Sequence, residues 1–355
     1  MNFDWTPQEQ AVFDSINKLI DDATVAEFES VGADGTPKAV VAGVLAKLHA
    51  GGYFNLVAPA CPGGWTTERY AAETALVGRS PSIALAAAHA ALLYRYASGI
   101  RPADDFQGLI VSPALRDPDD GDGALCTSAV SDWGVKLSGK KNYCADGPDA
   151  DYFLVSARSP AGMAYYLVKA DESGVGIVEE SNKTGPIGRN VCDVEFHDCP
   201  AVKLDLDGRA LQRDLDFALA LAAFGLMSRT FTGAKNAAQK RKIGGRALFR
   251  RQEVAYKLSE MLTLVQTADL TLRRAAWMLS QGVADGDLLV QCAKIFCGEN
   301  ATRVTADALD MVGIESLGTG GPFERAFNDA RKLAMLGTSG DGGRNGIADA
   351  VLAGY

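Results

Sequence analysis

Three long Ala/Leu-rich segments in the second half of the chain constrain the fold more than any other feature. Residues 211–240, 246–281 and 287–312 repeat apolar residues at the helical period. Helices of this length owe most of their stability to the packing of their apolar faces, so the pattern predicts a helix bundle. The remaining residues must then fold beside a bundle that begins near residue 209.

The first hundred residues are also predicted to be mainly helical. Thr6-Pro7 is typical of a helix cap followed by proline in the first turn. Residues 82–98 are apolar on almost all sides, which predicts a buried helix with His89 as a core or interface histidine. Further helical stripes occupy residues 8–21, 37–49 and 67–78.

Between the two helical regions the pattern changes to that of a sheet. Residues 101–123 are rich in Pro, Asp and Gly, which predicts a crossover loop. Short β-branched or aromatic pieces then alternate with turns, for example at residues 135–139, 152–157 and 164–168. They predict a small antiparallel sheet.

The order of helices, sheet and helices resembles the acyl-CoA dehydrogenase family, and local motifs carry the same resemblance. Residues 134–141 are similar to the family's Gly-x-x-Leu-x-Gly-x-Lys hairpin, and residues 193–200 to its Val-x-Phe-x-Asp-x-x-Val-Pro strand, where His197 is expected to be solvated. In the bundle, residues 258–261 and 308–313 resemble its Leu-Ala-Asp-Met and Ala-x-Gln-x-x-Gly segments.

The resemblance implies an acyl-CoA dehydrogenase-like fold of three domains. An N-terminal helical domain is expected at residues 1–104 and a middle small antiparallel β domain at residues 105–207. A C-terminal four-helix bundle is expected at residues 208–355.

The family's catalytic base has no counterpart at its usual place. Residues 328–331 and 336–339 resemble an Arg-Asp-Ala-Arg-like turn followed by Tyr-Glu-Gly-Thr, whose Glu removes the α-proton of an acyl thioester. Anchored on Gly337-Thr338, the matching position is Leu336, which cannot accept a proton. The spacing from Arg331 is one residue shorter than in the family, so deletion of the Glu is the alternative. Some relatives carry the Glu on the first bundle helix, where Leu215 stands here. The neighbouring Asp216 is a weak candidate base that would need a rotated helix.

The resemblance also implies FAD, bound between subunits. Arg241 would contact the pyrophosphate or adenosine of a neighbouring subunit's FAD, and Gln252 would support the same end. Thr338 and Thr127 are the other expected contacts. Alternatives stay open, since Arg241 lies in a basic run that solvent would suit and Thr338 could be a helix cap.

Other cofactor motifs are changed. The family's Trp-Ile-Thr reads Tyr143-Cys144-Ala145, and its Gly-Gly-x-Gly loop reads Gly313-Ile314-Glu315-Ser316. Its Thr-Glu-x-Gly-x-Gly-Ser-Asp loop is closest to residues 126–132, which contain no glycine.

Composition narrows the range of partners, metal sites and cellular locations that are expected for this chain. A net charge of −9 argues against nucleic acid or an anionic membrane as partner. Seven scattered cysteines and three histidines predict no metal site. With no uncharged apolar run of about 18 residues and no signal-like N-terminus, a cytoplasmic protein is expected.

Three functional hypotheses follow. The first is a subunit of a heterotetrameric acyl-CoA dehydrogenase of lipid or steroid degradation, whose homologous partner supplies the Glu for α,β-dehydrogenation of an acyl-CoA. The second is a flavin-dependent monooxygenase or oxidase on the same fold. The third is a non-enzymatic scaffold without flavin.

Overall fold

The structure is a computed structural model, and its described residues form two compact units. It describes residues 4–29, 36–57, 65–100, 102–117, 127–131, 134–178, 189–313, 321–338 and 340–354. One unit, called here the bundle unit, combines Met1–Asp22, Cys61–Leu85 and Gln212–Tyr355. The other, the sheet unit, combines Ala23–Ala60 and Ala86–Leu211. The three predicted domains stay a prediction.

The helices follow the predicted order along the chain. They are α1 (Pro7–Leu19), α2 (Asp22–Glu29), α3 (Lys38–Ala50), α4 (Thr67–Arg79), α5 (Pro81–Tyr96), α6 (Gly208–Lys240), α7 (Gln252–Ser280), α8 (Gly286–Val312), α9 (Pro322–Met335) and α10 (Gly340–Leu352). Short 3-10 turns cover Tyr53–Leu56, Ala103–Phe106, Gly147–Asp149 and Leu248–Arg250.

The predicted start of α1 is confirmed. The Thr6 hydroxyl accepts a hydrogen bond from the Glu9 amide at 3.2 Å, and the Glu9 carboxylate accepts one from the Thr6 amide at 2.7 Å. This reciprocal pair is a capping box, which satisfies amides that have no partner inside the helix.

The long C-terminal helices are confirmed, with one corrected boundary. Helix α7 begins at Gln252 rather than near residue 246, because Gly244 and Gly245 adopt φ of +60° and +79°. These left-handed conformations suit glycine and turn the chain through the two-residue strands β8 (Lys242–Ile243) and β9 (Arg246–Ala247). Helix α8 then packs against α7, α9 and α10.

Helix α6 is long and apolar enough to cross a membrane by length and composition. However, 67% of its most apolar window is buried inside the protein. It therefore has the character of a core helix.

The sheet unit contains a ring of strands. The strands are β1 (Val111–Ala114), β2 (Thr127–Ser131), β3 (Gly134–Ala145), β4 (Tyr152–Ser159), β5 (Gly162–Lys169), β6 (Val175–Val178) and β7 (Val191–Leu204). The pairings β4–β2–β3–β7–β5–β4 close the ring, and β6 adds to β7. Its interior holds Phe153, Val155, Val168, Val194 and Phe196, all essentially buried.

Two sequence predictions about this region were wrong in part. The sheet is mixed rather than antiparallel, because β1 and β2 each pair with β4 in parallel. Tight hairpins such as β4–β5 force opposite directions, whereas longer connections leave the direction free. The crossover at residues 101–123 also contains strand β1, whose Val111 and Ala114 are buried.

The two assessed histidines lie as predicted. His89 on α5 is 6% exposed, and the His197 side chain is 74% exposed. Among the described residues, no group of His, Cys, Asp and Glu is arranged to hold a metal ion.

Candidate functional site

The segment in which the sequence predicted the loss of the base, around Leu336, follows α9 directly and lies close against α6. Helix α9 ends at Met335, Leu336 is extended and half-buried, and Gly337 has φ +68°. A Cβ on Gly337 would lie 2.5 Å from Asp216 Oδ1 and 2.7 Å from Leu219 Cδ1. Only glycine lets the backbone pass this close to α6, so the segment is held in one place.

Asp216 holds this segment with both carboxylate oxygens. It is 2% exposed, and its Oδ1 accepts from the Thr338 amide at 2.8 Å and from Gln212 Nε2 at 3.1 Å. Its Oδ2 accepts from the Thr338 hydroxyl. The structure thus brings together two predicted site residues, Asp216 and Thr338, in an anchoring contact. A carboxylate engaged in this way is already committed to donors of its own chain.

A buried lysine holds the end of α9 from the other side. Lys294 on α8 is 4% exposed, and its Nζ donates to the Ala334 carbonyl at 3.0 Å. Burial lowers the pKa of Lys294, and Asp216 opposes that shift. A cation suits the C-terminal end of a helix, where carbonyls lack partners. Sequence reasoning missed this role of Lys294.

The second family position for the base is apolar as well. Leu215 is 8% exposed, and its neighbour Asp214 is 5% exposed. Asp214 Oδ1 accepts from Trp65 Nε1 at 2.9 Å and from the Arg213 guanidinium at 3.3 Å. The acids on both sides of Leu215 therefore serve internal hydrogen bonds. Gln212 could have been found from sequence, since it stands four residues before Asp216 on one helix.

Arg241 and Gln252 lie on either side of the β8–β9 hairpin. Arg241 Nη1 donates to the Val312 carbonyl at the end of α8, and a Cβ on Gly313 would lie 3.3 Å from Nη1. Gln252 opens α7, is exposed, and donates from Nε2 to the Tyr256 hydroxyl at 2.5 Å. Their roles toward a cofactor stay predictions. The alternative interpretation expected a solvated Arg241. In the structure its guanidinium contacts the end of α8 instead.

In the sheet unit, Thr127 and Tyr143 occupy the other expected cofactor region. Thr127 is exposed at the start of β2, and its hydroxyl donates to the Ser138 carbonyl at 3.4 Å. Tyr143 has φ +56° and is 42% exposed, with the Arg116 guanidinium carbon 5.1 Å from its ring centroid. The sequence analysis treated Tyr143 as a change from the family's tryptophan, but an exposed aromatic ring remains at that position.

Several expected motif residues lie outside the described part of the chain. They are Cys126, Asp132, Ile314, Glu315, Ser316 and Ser339.

The available groups fit a flavin dinucleotide in chemical type. Tyr143 offers an exposed ring of the kind that stacks on a planar heterocycle. A bulky residue with positive φ is strained, and such strain is found most often at ligand sites. Arg241 supplies a guanidinium suited to phosphate, and Gln252 an exposed amide. Each of these side chains could hold part of the cofactor in its own unit.

Comparison with known proteins identifies acyl-CoA dehydrogenases among the relatives. Residues 217–352 match the family model of the acyl-CoA dehydrogenase C-terminal domain. Benzylmalonyl-CoA dehydrogenase of Aromatoleum aromaticum is 25% identical over 99% of both chains. Cyclohexane-1-carbonyl-CoA dehydrogenase of Geobacter metallireducens is 26% identical over 59% of this chain and 58% of its own length.

Solved structures share the fold over the whole chain. Butyryl-CoA dehydrogenase from Megasphaera elsdenii aligns with a TM-score of 0.86 at 18% identity, covering 99% of this chain and 100% of that one. The ChsE4–ChsE5 complex from Mycobacterium tuberculosis contains a chain that aligns with a TM-score of 0.79 at 22% identity, with full coverage of both chains. The predicted fold class is confirmed by these alignments.

Proposed function

Because the chain belongs to the acyl-CoA dehydrogenase family, we propose that it is a subunit of a FAD-dependent acyl-CoA dehydrogenase that lacks a base of its own. The observation that carries this proposal is the anchoring of Thr338 by Asp216 next to Leu336. Leucine cannot take a proton, and the nearby carboxylate is buried and used for structure.

The complex would carry out α,β-dehydrogenation of an acyl-CoA thioester, with the proton-accepting carboxylate supplied by a homologous partner subunit. In this arrangement Arg241, Gln252, Thr338, Thr127 and Tyr143 bind and orient FAD. When bound, FAD supplies the acceptor for the hydride. The contribution of this chain is then binding, orientation and exclusion of water.

A partner of the same fold is supported by the exposed side of α7. Four large residues on it are solvent-exposed by 41–61%, namely Tyr256, Leu262, Leu270 and Trp277. Between them, the hydroxyls of Ser259, Thr263, Thr267 and Thr271 each donate to the carbonyl four residues earlier. The hydroxyls on this face are therefore satisfied internally, and the large apolar side chains lie among the exposed polar residues Gln266 and Arg274. Large aromatic and apolar side chains are typical of the centre of an interface.

The similarity to ChsE4–ChsE5 points in the same direction, since that structure is a complex of two chains. By analogy we place this chain beside a second acyl-CoA dehydrogenase-type subunit. We also propose a bulky lipid or steroid acyl-CoA as substrate, because a further neighbour is a steroid acyl-CoA dehydrogenase pair, with a TM-score of 0.79.

The test is the visible flavin spectrum of the protein purified alone and after co-expression with a family member that retains the Glu. Flavin and dehydrogenase activity that occur only in the complex would support the proposal. Replacing the partner's Glu by Gln should abolish activity and leave the flavin bound. Activity that survives this change would contradict the proposal.

A flavin-dependent monooxygenase or oxidase is the second candidate. It is favoured by the missing base together with the similarity to PigA, whose structure was determined with FAD and proline and aligns with a TM-score of 0.82. A chain that binds flavin without a partner and consumes oxygen when reduced would select it. Failure to bind flavin both alone and in a complex would select a scaffold.

A further inference from the structure

Three polar side chains from separate parts of the chain meet inside the sheet unit. Asp146 lies in the turn between β3 and β4, and Arg189 lies just before β7. Arg189 Nη2 donates to Asp146 Oδ2, and His89 Nδ1 on α5 lies 3.6 Å from the same oxygen. The side chains of His89, Asp146 and Arg189 are only 8%, 7% and 1% exposed. This buried cluster has no part in the site described above.

The Asp146 carboxylate compensates the buried positive charge of Arg189. Within the described structure, Arg189 Nε and Nη1 find no hydrogen-bond acceptor. Burial would raise the pKa of Asp146, but the Arg189 charge and His89 outweigh it and lower that pKa. The carboxylate is thus held ionised against the guanidinium. An unpaired buried charge is strongly unfavourable, so the two residues depend on each other.

The end of β3 and the turn after it contain two residues with positive φ, Tyr143 in the strand and Asp146 in the turn. Asp146 has φ +60° and Tyr143 has φ +56°, both in the left-handed region. Aspartate tolerates this region better than most residues, whereas a bulky residue such as Tyr143 occupies it only when the surrounding structure compels it. The turn therefore needs contacts that hold it.

One short segment supplies those contacts. The Asp146 amide donates to the Asn190 carbonyl at 2.6 Å, and the Tyr143 amide donates to Asp193 Oδ1 at 3.1 Å. The turn also lies directly on β7, since a Cβ on Gly147 would come within 2.2 Å of Cys192 Sγ. Residues 189–193 thus contact the turn through side chain, backbone and packing together.

We propose that Arg189 is a positioning residue for the turn, acting through Asp146, and that it thereby holds Tyr143 in its exposed orientation. The benefit to flavin binding rests on the proposed function, in which Tyr143 contacts the cofactor. The positioning itself does not require flavin, so the two parts are separable by experiment.

The first measurement is amide hydrogen exchange on the full chain with Asp146→Gly. At φ +60° glycine relieves strain, so this change would be harmless if only the backbone conformation mattered. We expect exchange of the Tyr143 and Asp146 amides to accelerate at least about tenfold, while the β4–β5 ladder keeps wild-type rates. Exchange at the turn within twofold of wild type, or a uniform rise over the whole sheet, would overturn the proposal.

A second variant distinguishes loss of positioning from unfolding caused by an unpaired buried charge. Asp146→Asn combined with Arg189→Gln removes both charges, so no unpaired charge is left buried. The same local acceleration is expected here. Arg209→Gln, at an exposed arginine in the first turn of α6, is the matched control and should leave the turn unchanged.

The cofactor part is tested on the co-purified complex. The double variant should weaken FAD binding at least about fivefold and change the shape of the flavin band, while the subunits still co-elute. If the wild-type complex holds no FAD, the proposed function fails and hydrogen exchange still decides the positioning. If the turn loosens but FAD affinity stays within twofold, the link from Arg189 to the cofactor is overturned.

Discussion

The sequence and the structure assign different roles to Asp216. From sequence it is a weak candidate base beside an apolar position, whereas in the structure each of its oxygens accepts from Thr338. A general base must reach the substrate proton, whereas Asp216 is 2% exposed and accepts three hydrogen bonds from its own chain. The observed contacts favour an anchor for the segment after α9.

Replacing Asp216 by Ala tests the anchoring role. The change leaves the half-buried Thr338 amide without its acceptor and Lys294 without its opposing charge. We expect the free energy of unfolding to fall by about 2–3 kcal/mol, measured by urea denaturation. Asp349→Ala, at an exposed acid on α10, should change it by less than about 0.5 kcal/mol. Equal effects of the two variants would contradict the anchor.

Asp146 gives a prediction for the dependence of stability on pH. Its pKa is lowered in the folded protein from an ordinary value of 3.8. A lowered carboxyl pKa contributes stability that is fully present above pH 3.8 and is lost as pH falls through the folded value. Asp146→Asn should therefore be less stable than wild type at neutral pH. The difference in free energy of unfolding should shrink in acid, and a constant difference would refute the linkage.

Among the secondary-structure elements, the end of α9 depends on close packing as much as on hydrogen bonds. Gly337 combines a positive φ with direct contact to α6, so two separate costs would arise from any side chain there. Gly282, between α7 and α8, has a similar φ of +64° but open space around its Cβ position. Comparing substitutions at Gly337 and Gly282 therefore separates the cost of backbone strain from the cost of steric contact.

Gly337→Ala should therefore be more harmful than Gly282→Ala. The control variant is expected to cost about 1 kcal/mol from backbone strain alone. Gly337→Ala adds displacement of Asp216 and should cost at least about 1 kcal/mol more. Thermal unfolding of the two variants under the same conditions measures the difference. Indistinguishable melting temperatures would mean that the segment can move away from α6.

For the whole molecule, the proposed assembly would use a surface that the isolated chain leaves exposed. The α7 face with Tyr256, Leu262, Leu270 and Trp277 has its hydroxyl groups satisfied internally. The large apolar side chains on this face can bury apolar area against another subunit. Helix α7 is 29 residues long, which gives room for packing along another helix.

Leu270→Glu tests this surface in the assembly. A buried, unpaired carboxylate at an interface is strongly unfavourable, so we expect recovery of the complex to fall at least about tenfold. The chain itself should remain folded, because Leu270 is 49% exposed. Met163→Glu, at a residue that is 58% exposed in the sheet unit, is the control. Light scattering after size-exclusion chromatography measures both, and equal assembly would exclude α7 as the interface.

Much of this protein could be predicted from local patterns alone. Apolar periodicity predicted α6, α7 and α8, and the Thr6 cap was confirmed because its partners are three residues apart. The absence of a proton acceptor at Leu336 also follows from sequence, since it is a property of one side chain. The seven-stranded sheet was predicted as antiparallel because hairpins are local, while the parallel pairs with β4 are not.

Only the tertiary structure decided what the buried charges do. Asp216 meets Thr338 across 122 positions of sequence, and Arg189 meets Asp146 across 43. No periodicity connects such residues, because their proximity arises from the packing of separate elements. Side-chain chemistry therefore determined that Leu336 cannot accept a proton, whereas three-dimensional packing determined which segments Asp216 and Asp146 hold.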